Sequence, residues 1–263
     1  FWIDKEEAFF SILPTTTQYS RNAIFAGLMP SEIETKYPDL WLNDDEDGGK
    51  NQHEKKLLEH QLQRLGLNIP FSYNKVLNQN YGRKLIDRIP NMMNNPLNVI
   101  IYNFVDMLSH ARTDTEIIRE LAEDEAAYRS LTLSWFEHSP LYDALKEIAS
   151  RKGKVVIGTD HGSILVNEPS KIVGDRETNS NLRYKQGKNL SFQEKDVFFS
   201  KNPGDIYLPK VNVSQAFVFA KESMFFAYPN NYNHYVKYYR KTFQHGGLSM
   251  EEVVIPFITL TPK

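Results

Sequence analysis

Cysteine is absent altogether, which excludes disulfides and thiolate metal sites, so any zinc would have to be held by His, Asp and Thr side chains. Long apolar runs are missing too: nothing in the chain approaches the roughly 18–20 residues that span a bilayer. The opening Phe1-Trp2-Ile3-Asp4-Lys5-Glu6-Glu7 lacks the form of a signal peptide, and a cytoplasmic location is the expectation. Excess charge of either sign is also lacking, with 31 Lys and Arg against 33 Asp and Glu and a net charge of −2. That balance argues against a surface that coats nucleic acid, which needs many uncompensated cations, whereas a phosphate substrate needs positive charge only locally. What remains is an ordinary globular composition of 263 residues, 41% hydrophobic and 24% charged, enough for one large α/β domain with a substantial core.

The most informative stretch is Pro14-Thr15-Thr16-Thr17-Gln18-Tyr19-Ser20-Arg21-Asn22-Ala23. Ala8-Phe9-Phe10-Ser11-Ile12-Leu13 reads as a buried strand closed by Pro14. From Gln18 onward Ala23, Ile24, Phe25 and Leu28 fall at helical spacing until Gly27 and Pro30 stop the pattern. A threonine at this junction lies where unpaired N–H groups and the positive end of the helix dipole converge. Taken alone, Thr15, Thr16 or Thr17 is explained as a helix N-cap.

Three downstream clusters carry metal-ligand side chains. Leu97–Val105 reads as a strand delivering Asp106 and, four residues on, His110; Val155–Thr159 reads as a second buried strand ending in Asp160-His161-Gly162. Gln244-His245-Gly246-Gly247 precedes a Ser249–Glu252 turn and a last apolar run. Asp and His at the carboxyl ends of strands are where open α/β sheets build sites, and carboxylate with imidazole suits zinc. Each cluster alone is also explained by a turn residue beside a satisfied histidine.

The order Thr, Asp-x-x-x-His, Asp-His-Gly, His-Gly resembles the alkaline phosphatase superfamily. Residues 14–30 are similar to the nucleophile segment of nucleotide pyrophosphatase/phosphodiesterases. The segments Thr17–Pro30, Gly158–Gly162 and His245–Pro256 resemble the PglZ domain, in particular the PglZ effector domain of PorX-type response regulators. The resemblance implies an alkaline phosphatase-like central sheet flanked by helices. It spans 1–263 as one domain, with insertions at about 40–96 and 163–213 and without the superfamily's first, Asp-bearing strand; the start at Phe1 then reads as that of a fragment. It also implies Thr17 as nucleophile and two zinc ions, one on Asp106, His110 and His245, the other on Thr17, Asp160 and His161. Arg21 and helix-start N–H groups are candidates to hold phosphate oxygens. The implied activity is hydrolysis of phosphodiesters such as linear or cyclic oligonucleotides. The implied partners are an N-terminal receiver domain, a second copy on activation and a transcription factor. The rival expectation is a catalytically weak signalling module that acts by dimerisation and partner binding.

Other readings are local. Asn43–Glu54 matches a calcium loop imperfectly and reads as a solvated acidic loop. Glu54–Leu65 is an amphipathic helix, and residues up to Pro96 read as short helices and loops. Thr113, Thr115 and Ser139-Pro140 read as helix starts in a crossover to a parallel strand at Val155. His138 reads as structural. Lys171, Arg176, Arg183, Lys185 and Lys188 read as a solvated basic loop in a β-rich insertion, with Gly204–Leu208 strand-like. The tyrosines of 230–243 read as core packing rather than a base-stacking platform.

Overall fold

The computed structural model describes every residue except 44, 45, 47, 48, 106, 109, 110, 112–114, 123, 176 and 177, and the side chains of 116 and 119. The fold is mixed α/β with several small sheets. The chain divides into two compact units, one of Phe1–Ala8, Gly66–Gly158 and Pro256–Lys263, the other of Phe9–Leu65 and Thr159–Ile255.

In the first unit, β1 (Trp2–Phe10), β12 (Val254–Thr261) and β4 (Val155–Gly158) form a sheet in the order β1-β12-β4, with β12 and β4 antiparallel and Phe257 opposite Gly158. A parallel pair, β2 (Phe71–Val76) and β3 (Leu97–Tyr102), runs in register from Phe71 opposite Leu97 to Val76 opposite Tyr102. The crossover between them is α4 (Gln79–Met92), capped by the Asn78 side chain, which accepts the Tyr81 N–H. Val76, Leu85 and Met92 form its buried seam with Ile100 and Tyr102 packed alongside. Thus β2 and α4 replace the expected short helices and loops: Pro90 lies in the final turn of α4, where it removes a single N–H donor, the one for the Ile86 carbonyl, and leaves the preceding turns intact.

Two further expectations for this unit are corrected. Val155 does not continue a parallel sheet from β3; among the described residues β4 pairs only with β12, antiparallel. Nor is β4 buried, since Val156 is 55% and Ile157 40% exposed, and most of β1 is exposed as well. The helices α5 (Glu116–Leu121), α6 (Glu125–Glu137) and α7 (Pro140–Ser150) follow the apolar spacing. As expected, Thr115 and Ser139 are N-caps, the latter accepting the Tyr142 N–H with Pro140 as first helical residue. His138 bonds through Nδ1 to the Ser134 carbonyl of its own helix, a structural role.

The second unit carries α1 (Thr17–Ala26), α2 (Pro30–Lys36) and α3 (Glu54–Arg64). Helix α1 ends where Gly27 adopts φ 58°, a left-handed C-cap whose N–H returns to the Ala23 carbonyl. Leu57, Leu58 and Leu62 bury the apolar face of α3, while Leu65, expected on that face, is exposed beyond the last turn. A three-stranded antiparallel sheet orders β7 (Tyr184–Gly187), β9 (Ala216–Ala220) and β8 (Val197–Ser200). Two small pairs complete it: β6 (Glu168–Lys171) with β10 (Met224–Ala227), parallel, and β5 (Ile164–Val166) with β11 (Thr242–Gln244), antiparallel. The core lies here, around Val197, Val218, Ala220, Phe226 and Ile172.

Two more readings change in this unit. The segment 203–206 is a 3-10 turn rather than a strand. Arg183 and Lys185 are not solvated; both stand on or beside β7 with 0% and 1% exposure. Helix α8 (Tyr232–Tyr239) buries none of its residues fully, but Tyr239 packs half-buried on the Ile164, Val166 and Phe225 cluster, in line with the core-packing reading, and Tyr235 stacks on Tyr239. The last helix, α9 (Met250–Val253), is a single turn capped by Ser249.

Candidate active site

Proline 14 closes the first apolar run, and the three threonines after it serve three separate ends. Thr15 is fully buried; its Oγ1 donates to the Gly247 carbonyl at 2.9 Å and accepts the Gly246 N–H at 2.9 Å. Thr16 is the N-cap by backbone, its carbonyl accepting the Ser20 N–H, yet its side chain makes no cap bond and its buried Oγ1 has no hydrogen-bond partner among the described residues. Thr17 opens the helix, and its Oγ1 lies 3.3 Å from His161 Nε2. Only the middle threonine is an N-cap, so capping does not explain Thr17.

His161 follows β4 in the turn Asp160-His161-Gly162. The ring is fixed by Nδ1, which donates to the Gly162 carbonyl at 3.0 Å and so leaves the Nε2 lone pair facing Thr17. The turn is held by Ser11 Oγ donating to the Asp160 carbonyl, Thr159 Oγ1 donating to the His161 carbonyl, and the Gly162 N–H donating to the Glu252 carbonyl. No side chain fits at 162, because a Cβ there would stand 2.0 Å from the Glu251 carbonyl oxygen.

His245 reaches the same place from the other end of the unit. Its Nδ1 donates to the Thr15 carbonyl at 3.0 Å, and its ring stacks on His161 with centroids 4.1 Å apart and planes at 16°. The loop that carries it is anchored by an ion pair with no exposed surface. Arg183 Nη2 and Nε donate to Glu252 Oε2 and Oε1 at 2.6 and 3.1 Å, and Glu252 Oε1 also accepts the Gly247 N–H at 2.9 Å. Arg183 further donates to the Met224 carbonyl. A bidentate, fully desolvated pair of this kind fixes orientation more than it stabilises.

Arg21, one turn into α1, is 8% exposed. Its Nε lies 2.9 Å from Glu54 Oε1 and 3.8 Å from Asp160 Oδ2. It is therefore engaged with carboxylates rather than presented to solvent. Asp160 Oδ2 is in turn 3.8 Å from His161 Nε2.

Of the expected site residues, the structure brings together Thr17, Asp160, His161, His245 and Arg21. Asp106 and His110 lie outside the described residues. Among the described residues no three His, Cys, Asp or Glu side chains alone form a metal-holding group; the third donor beside Asp160 and His161 is the Thr17 hydroxyl. The donor set fits a zinc-like ion. Both histidines have Nδ1 tied to a backbone carbonyl, the usual outer arrangement of an imidazole that binds metal through its other nitrogen. The 3.3 Å between Thr17 Oγ1 and His161 Nε2 matches the edge of a tetrahedron with bonds of about 2.0 Å, roughly 3.3 Å.

Sequence reasoning missed four contributors. Thr15 was indistinguishable from its neighbours. Arg183 and Glu252 looked like members of a charged loop and a turn, because nothing local marks a charge that tertiary packing will bury. Glu54 had two local signals, the last position of the calcium-loop pattern and an acid at the start of an amphipathic helix, and each explains it without this site.

No curated protein matches this chain. Residues 2–260 match the model for the BREX system PglZ alkaline phosphatase-like domain. That match covers nearly the whole chain and has the threonine, Asp-His and His-Gly turns meeting inside it, so the chain belongs to the PglZ family of alkaline phosphatase-like domains.

Proposed function

We propose that this domain is a metal-dependent phosphodiesterase with Thr17 as nucleophile. The observation that carries the reading is the Thr17 hydroxyl 3.3 Å from His161 Nε2, on a ring whose other nitrogen is locked and which stacks on His245. The alkaline phosphatase-like family supports a hydrolase.

In this reading Thr17 Oγ1 attacks phosphorus, the bond from phosphorus to the departing oxygen breaks, and the hydroxyl proton ends on the released alcohol. Water then cleaves the phosphothreonine, restoring the hydroxyl and leaving a phosphomonoester. Zinc held by Thr17, Asp160 and His161, with a second ion on His245, Asp106 and His110, would supply Lewis acidity to the hydroxyl and the leaving oxygen. The chain's own part is positional. The Thr15 bonds tie the nucleophile turn to the His245 loop, and the Thr16 hydroxyl and first N–H groups of α1 offer donors to non-bridging oxygens. The wider reading places the domain as the output of a response regulator, with a receiver domain, dimerisation on activation, oligonucleotide-like diesters as substrate and a transcription factor as further partner.

The test is hydrolysis of bis(nitrophenyl) phosphate, with zinc counted per chain, by the protein and by Thr17→Ala. Zinc-dependent turnover that falls at least about 10³-fold in Thr17→Ala is expected. Bound zinc without turnover over a panel of diesters and monoesters would overturn the enzyme and favour a partner-binding module.

A further inference from the structure

Thr15, the fully buried first threonine of the nucleophile turn, meets three consecutive residues from near the C-terminus. Its Oγ1 accepts the Gly246 N–H and donates to the Gly247 carbonyl, both at 2.9 Å, and its carbonyl accepts His245 Nδ1 at 3.0 Å. Beyond His245 that loop has no side chain to hold it in place. Gly246 sits at φ 119°, which only glycine adopts readily, and a Cβ at Gly247 would stand 2.7 Å from the Ala220 carbonyl oxygen. A segment so placed depends on its backbone bonds, since buried N–H and C=O groups must be paired. These contacts close a circuit. It runs from the Thr15 carbonyl to the His245 ring, across the 4.1 Å stack to His161, on to Thr17 Oγ1 at 3.3 Å, and back along the chain to Thr15.

We infer that Thr15 is a positioning residue: its hydroxyl clamps the His245 loop to the nucleophile turn and so sets the imidazole, as its Nδ1–H tautomer, at a fixed place relative to Thr17. A carbonyl only accepts, so the bond from His245 requires the proton on Nδ1. Without the hydroxyl, the Gly246 N–H and the Gly247 carbonyl lose a buried partner. Leaving them unpaired is costly, so the loop pulls away toward water and takes His245 off the Thr15 carbonyl. This role deepens the proposed reaction and rests on its reading of His245 as a metal ligand, because an outer bond on one ring nitrogen is what orients the other toward an ion.

The experiment compares the parent with Thr15→Val, which keeps the shape, Thr15→Ser, which keeps the hydroxyl, and His245→Ala. Proton–nitrogen NMR correlation of the metal-free protein, above the ordinary imidazole pKa of about 6.5, reads the His245 tautomer, with His245→Ala identifying its signal. Titration with zinc alone against a chromophoric chelator reads affinity. Parent and Thr15→Ser are expected to hold the Nδ1–H form and Thr15→Val to lose it. Zinc binding should weaken about 10- to 100-fold in Thr15→Val and stay within about threefold of the parent in Thr15→Ser. A merely structural role would lower the melting temperature of Thr15→Val and move neither the tautomer nor the zinc affinity. A fixed Nδ1–H form in Thr15→Val, or parental zinc affinity there beside weakened affinity in His245→Ala, overturns the inference and leaves the metal site standing. Absence of zinc binding in the parent, or parental affinity in His245→Ala, overturns the metal reading and the inference with it. If Thr15→Val does not fold, Thr15→Ala decides, since its smaller side chain leaves room for water beside the two glycines. Loss of the Nδ1–H form there supports the inference, and its retention overturns it.

Discussion

Replacing Glu252 by Gln changes one atom and leaves the shape intact, yet it should be among the most damaging substitutions in the chain. Glu252 and Arg183 have no solvent-exposed side-chain surface, and the carboxylate takes two guanidinium N–H groups and the Gly247 N–H. The amide retains one oxygen for Gly247 but turns an NH2 toward Arg183 and strands a buried cation. Removing one partner of a buried ion pair costs about 3–5 kcal/mol, which in a chain of this size lowers the melting temperature by roughly 6–20 °C. The double variant Arg183→Met/Glu252→Leu removes both charges; it leaves the Gly247 N–H without its acceptor, a cost of about 1–3 kcal/mol, and takes the guanidinium donor from the Met224 carbonyl. Urea unfolding of parent, single and double variants reads all three quantities. The reasoning fails if Glu252→Gln costs less than about 1 kcal/mol, or if the double variant is as unstable as the single; the stranded charge would then not be what destabilises the single variant.

Gly162→Ala sets a Cβ 2.0 Å from the Glu251 carbonyl oxygen, and backbone cannot yield cheaply; a loss of about 3 kcal/mol or more is expected in thermal unfolding. Ser139→Ala removes the N-cap of α7 and should cost about 1 kcal/mol, measured the same way. Burial lowers the Lys185 pKa to about 7 from its ordinary 10.5. Between those values the unfolded chain binds a proton that the folded one has released, so this group makes stability rise with pH from about 7 to 10.5, by up to about 1.4 kcal/mol per unit. Lys185→Met should flatten that slope and raise stability most below pH 7; urea midpoints across the range would show it, and an unchanged slope would refute it. Thr17→Ser should retain measurable diesterase activity where Thr17→Ala does not, since a hydroxyl at that position is what the reaction requires.

Helix α1 was legible because its signals are local: Thr16 takes the N-cap geometry and Gly27 closes the helix in the left-handed region, whereas the strand before it ends at Phe10 rather than at Pro14. The meeting of His161 with His245 was legible only through the order of motifs, since no local pattern reports a stacking contact. Strand β2 was lost because Phe71-Ser72-Tyr73-Asn74-Lys75-Val76 buries a polar residue, Asn74, among its inward positions, and flanking prolines masked the alternation. Lys185 shows the limit most sharply. A lysine in a polar segment reads as solvated, whereas here it lies under the Tyr228 ring with Nζ on the Asn179 carbonyl, held by strands β7 and β9 that only pair once folded.

The bond from His245 to the Thr15 carbonyl joins residues 230 positions apart, within a unit whose two stretches are separated by Gly66–Gly158. On a ribosome adding about 5–20 residues per second, Thr17 therefore waits many seconds before the imidazole that braces its turn has been synthesised. A nascent chain at any earlier stage carries the hydroxyl without its scaffold, so this arrangement of side chains is assembled late and all at once rather than accumulating during translation.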